Sequence, residues 1–151
     1  MRLALCFALF PATAFADPLA EMGEACVTTD PKQLMAAGKI LEERFGYERT
    51  AGIEGMETYI SSDKSRTVFL MGDGAAASCV MVLTAKDEAR INKITGKLDQ
   101  LASGQPGSTE IEGPGSHYHW VADGHDVTVG HQIAENGEDL ILTYELGGAG
   151  S

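Results

Sequence analysis

The chain has 151 residues, 44% of them hydrophobic, and carries 22 acidic against 11 basic side chains for a formal net charge of −11. That length suits one domain with its own core. The acidity argues against nucleic acid and anionic membrane surfaces as partners, because both repel it.

Residues 1–16 read as a signal peptide. Arg2 is the only charge before Asp17, Leu3 to Phe15 is apolar or small, and Ala14-Phe15-Ala16 forms a small-x-small cleavage site. The apolar run falls short of the ~20 residues a bilayer-spanning helix needs, and Pro11 interrupts it. No later stretch is long and apolar enough to cross a membrane, so no transmembrane segment is expected after cleavage. The mature domain, residues 17–151, keeps all 22 acidic residues and ten basic ones, a net −12.

Of three cysteines, Cys6 leaves with the leader, while Cys26 and Cys79 remain. Two thiols in an exported chain predict one disulfide. There is no CxxC motif, so nothing points to thiol redox catalysis.

Asp30-Pro31 marks a helix start, an N-cap followed by proline at the first helical position. Leu34, Ala37, Leu41 and Phe45 share one face, and Gly46 supplies a stop, which predicts a helix over 31–45. Strands are predicted at Met56–Ser61, Arg66–Met71 and Ser78–Leu83, separated by turn residues. The third is apolar on both faces apart from Ser78, the pattern of a central strand covered on both sides.

Thr84-Ala85-Lys86-Asp87 resembles a capping box and opens a second helix that runs to about Ala102, with Ile91, Ile94, Leu98 and Leu101 as its buried stripe. Residues 104–116, rich in Gly and Pro, read as a mobile loop. Three more strands follow at Ser116–Val121, Asp126–Ile133 and Leu140–Leu146. Asp123-Gly124 and Asn136-Gly137 join them as two-residue hairpin turns. Residues 147–151 are small and expected to fray.

The predicted order is α-β-β-β-α-β-β-β, an α+β domain with one antiparallel sheet and two helices packed on one face. Its halves match in spacing, which allows a duplicated αβββ unit, although few residues repeat.

Charge is unevenly spread. No Lys or Arg lies beyond Lys97, whereas nine acidic residues and all four histidines do. With the two hairpin turns above, Ala122 pairs with His125, His119 with Thr128 and His117 with Gly130. On the next pair of strands, His131 faces Leu142, Val129 faces Tyr144 and Thr128 faces Glu145. Alternation then places Tyr118, Trp120, Val127, Val129, His131 and Ile133 on the core side. His117, His119, Asp126 and Glu145 share the other face. Two imidazoles and carboxylates could hold zinc or copper. His131 reads as a core histidine and His125 as a turn residue.

No nucleophile elbow, phosphate-binding loop, dinucleotide fingerprint or HExxH is present. The first expectation is therefore an exported, non-catalytic periplasmic module that binds an unknown protein or small ligand and needs no cofactor. The alternatives are a divalent metal binder at the histidine hairpin, and a hydrolase with an unrecognised site. The hydrolase requires a histidine within reach of a nucleophile or carboxylate in a polar cleft.

Overall fold

A computed structural model of the chain describes residues 17–50, 52–73, 75–84 and 87–147. The leader, Ala85, Lys86 and residues 148–151 lie outside that description. The described residues form helices α1 (Pro18–Cys26), α2 (Pro31–Met35), α3 (Ala37–Phe45) and α4 (Glu88–Ser103). The strands are β1 (Glu48–Arg49), β2 (Met56–Ile60), β3 (Arg66–Gly72), β4 (Ala77–Thr84), β5 (Thr109–Ile111), β6 (Ser116–Ala122), β7 (His125–Ile133) and β8 (Asp139–Leu146).

The helix starts share one chemistry. Asp17, Asp30 and Asp87 each accept a hydrogen bond from the backbone N–H two residues on, and Pro18 and Pro31 follow the first two. Asp17-Pro18 is the same signal as Asp30-Pro31, and it opens α1, a helix absent from the predicted order. The helix predicted over 31–45 is divided at Ala36, whose ψ of −1° ends α2. It stops as predicted at Gly46, which takes φ 69°. There the Gly46 N–H bonds to the Glu42 carbonyl, the αL form of helix stop, and the Tyr47 N–H bonds to the Leu41 carbonyl. Helix α4 is capped by Asp87 and not by Thr84, which instead ends β4.

The sheet is antiparallel throughout, in the order β1-β2-β3-β4-β8-β7-β6-β5. Each half is a three-strand meander with a short edge strand, and the halves meet where β4 pairs with β8. The segment read as loop over 104–116 is thus not all loop, because Thr109–Ile111 pairs with β6. Strand register agrees with the prediction at every pair named above. Asp123 (φ 51°) and Gly124 (φ 77°) form the two-residue turn between β6 and β7. The β7–β8 connection is longer than predicted. Gly137 N–H bonds back to the Ala134 carbonyl and Ala134 N–H to the Asp139 carbonyl, leaving Glu135–Glu138 as a four-residue loop. Both lengths centre the hairpin between Asn136 and Gly137, so the register is unchanged.

All four helices lie on one side of the sheet, over Tyr59, Val68, Leu70, Cys79, Met81, Leu142 and Tyr144. The other side is open. Strand β4 alternates buried and half-buried residues, so Val80 and Val82 are not covered as their sequence predicts. Cys26 and Cys79 are bonded, tying the end of α1 to β4 within this core. Ile133, predicted on the core side, lies beyond the helices and is 47% exposed.

Candidate functional site

Helices α1 and α4 diverge over β6, β7 and β8 and leave a cavity of about 490 Å³, within the ~300–1,000 Å³ typical of ligand sites. Its walls are Leu19 and Met22 from α1, Leu98 and Ala102 from α4, and Trp120 and Val129 from the sheet. Val27 and Leu101, both more than half exposed, also line it. Leu101 was predicted to belong to the buried stripe of α4. Ala102 takes that place, and Leu101 turns outward.

The frame around the cavity is cross-linked. Lys97 on α4 meets Asp17 at the start of α1, at 3.3 Å. The Thr29 hydroxyl donates to Asp123 in the β6–β7 turn, at 2.9 Å. The Tyr144 hydroxyl donates to the Thr28 carbonyl at 2.7 Å, and burial raises its pKa. The polar groups on the rim are therefore engaged already: Thr28 Oγ1 donates to Gln33, and Gln105 Nε2 to the Leu101 carbonyl. Such a cavity holds its occupant by burial and dispersion and offers few directed hydrogen bonds.

The predicted metal residues share the open face as expected, but they do not form a cluster. His119 Nε2 lies 3.1 Å from Asp126 Oδ1. The His117 ring lies flat against Gly130, and its Nδ1 is buried without a hydrogen-bond partner. Glu145 is exposed beside Thr128. Among the described residues no three His, Cys, Asp or Glu side chains gather closely enough to share an ion. A closed zinc site takes four ligands and an open one three, so the His119–Asp126 pair alone does not fit either.

His131 is anchored by Asp99, Nε2 to Oδ1 at 2.7 Å, across α4 and β7. The same carboxylate, after burial, raises the pKa of Tyr118. His125 Nδ1 donates to the Gly147 carbonyl at 3.1 Å. Two histidines thus have a carboxylate in reach, one of the partners the hydrolase reading accepts, but neither histidine lines the cavity between α1 and α4. Among the described residues, no hydroxyl is hydrogen-bonded to any histidine nitrogen.

The cavity was not legible in the sequence because five elements, α1, α4, β6, β7 and β8, must come together to wall it. Trp120, Val129 and Leu98 were each placed on a core-facing side, and these were the hints to its walls.

Comparison with known protein families, with curated proteins and with solved structures finds no match. Fold and site therefore define a class by themselves: a two-layer α+β protein with an apolar cavity between its helices and one half of its sheet. It is stapled by one disulfide, and among the described residues no helix is long and apolar enough to cross a membrane.

Proposed function

We propose that this is an exported, non-catalytic periplasmic binding protein that holds one small, mainly apolar molecule in the cavity between α1 and α4. The preformed apolar cavity carries this reading. Its walls expose Trp120, Leu98 and Met22 to one another across open space, and its rim donors are already satisfied. The leader-like residues 1–16 and the Cys26–Cys79 bond support export to an oxidising compartment.

Trp120 is the single tryptophan of the chain, so its emission reports on the site. Titration of the mature protein with the neutral probe N-phenyl-1-naphthylamine should quench Trp120 saturably. Gly23 lines the cavity, and a side chain added there meets open space. Gly23→Leu should therefore intrude on the cavity and weaken the quenching while the circular dichroism spectrum stays native. Quenching undiminished in Gly23→Leu, or no response of Trp120 to any uncharged apolar probe, would defeat the proposal.

A further inference from the structure

The open side of the sheet is too apolar to be an ordinary solvent face. Two rows cross it in register: Thr58, Phe69, Val80 and Thr143, then Ile60, Thr67, Val82 and Ile141. Met56 and Met71 begin a third row that continues into Ser78, Glu145 and Thr128. Every one of these residues is half-buried except Glu145, which is exposed. Antiparallel strands with one wet face normally alternate apolar and polar residues. Here the central strands are apolar on both sides, and a contiguous apolar patch left partly open to solvent marks an interaction site.

The charge that the described strand residues place around the patch is of one sign. Alternation places Glu48, Asp126, Asp139 and Glu145 on this face, while Arg49 and Arg66 belong to the helix-covered side. Among the described residues, no strand contributes a Lys or Arg to the open face. At the Glu145 end lies a second hollow of about 360 Å³, lined by Met71, Ser78, Asp126, Thr128 and Glu145. It joins apolar surface to two carboxylates and two hydroxyls. A second copy of this chain would set like charges against like charges.

We infer that this face docks a cationic, amphipathic segment of a protein partner. Its apolar side chains lie on Phe69, Val80, Val82 and Ile141, and a Lys or Arg enters the hollow between Asp126 and Glu145. The site is on the opposite side of the sheet from the ligand cavity and is independent of it.

The test uses the mature protein and a fluorescein-labelled nine-residue peptide of alternating Leu and Lys, followed by anisotropy. Saturable binding is expected, absent when every Lys of the peptide is Glu. Val80→Ser with Val82→Ser, and separately Glu145→Lys, should each weaken it about tenfold or more, as loss of a central contact does. Gly23→Leu should leave it unchanged. Binding that ignores both face variants overturns the inference. So does a dimer, seen by light scattering, that Val80→Ser with Val82→Ser converts to monomer, because a second copy then covers the face.

Discussion

Glu21 on α1 and Arg66 at the start of β3 form an ion pair at 3.0 Å with both side chains more than nine-tenths buried. The Tyr47 hydroxyl joins them, donating to Glu21 at 2.7 Å and accepting from Arg66 Nε at 3.0 Å. Burial opposes the Arg66 charge, but Tyr47 and Glu21 offset it and its pKa is raised. The pair pins α1, one wall of the cavity, to the sheet. Removing one partner strands a buried charge, so Glu21→Ala should cost about 3–5 kcal/mol in urea unfolding. Glu21→Leu combined with Arg66→Met should cost far less. If the single and double variants lose stability equally, the pair is not the fastening described.

The Cys26–Cys79 bond closes a separation of 53 residues, for which the chain-entropy relation gives about 4 kcal/mol. Cys79→Ala should therefore lower the urea midpoint strongly, and wild-type protein unfolded in dithiothreitol should match it. Both sulfurs are buried, so alkylation of the native protein should require unfolding first. Mass spectrometry after iodoacetamide treatment, with and without urea, reads this directly.

Gly130 is glycine because the His117 ring occupies the place of a β-carbon. Gly130→Ala should cost about 1–3 kcal/mol by overpacking. In a His117→Ala background most of that cost should disappear. Additive losses in thermal melts would show that the ring can move aside.

Tyrosine ionisation sets the alkaline limit of stability. Burial and then Glu57 push Tyr59 up to about 12, and burial also raises Tyr47 and Tyr144, all from an ordinary value near 10. The folded state thus holds these protons more tightly than the unfolded chain does. Their contribution is intact below pH 10 and is lost as pH climbs through about 12. The urea midpoint should fall across that window, and less steeply in Tyr59→Phe. A flat midpoint from pH 9 to 12 would contradict the burial of these hydroxyls.

The predicted elements and the fold class were legible because their signals are local. Aspartate caps, apolar alternation and Asp-Gly act over a few residues, and they located six of the eight strands and the register of β6, β7 and β8. Edge strands β1 and β5, at two and three residues, are too short to carry a period and exist only because a neighbour pairs with them.

The candidate site divides the same way. Alternation alone put His117, His119, Asp126 and Glu145 on one face and Trp120 on the other, and the cysteine count alone paired Cys26 with Cys79. How far α4 stands from α1, and that His119 would meet Asp126 while Glu145 stood apart, were decided by tertiary packing. The ties responsible span 32 residues at His131–Asp99, 45 at Arg66–Glu21 and 94 at Thr29–Asp123. Period and turn type say how a strand runs and which way its side chains point, but contacts at such separations depend on the sum of all packing. For that reason the cavity and the open face are properties of the folded whole.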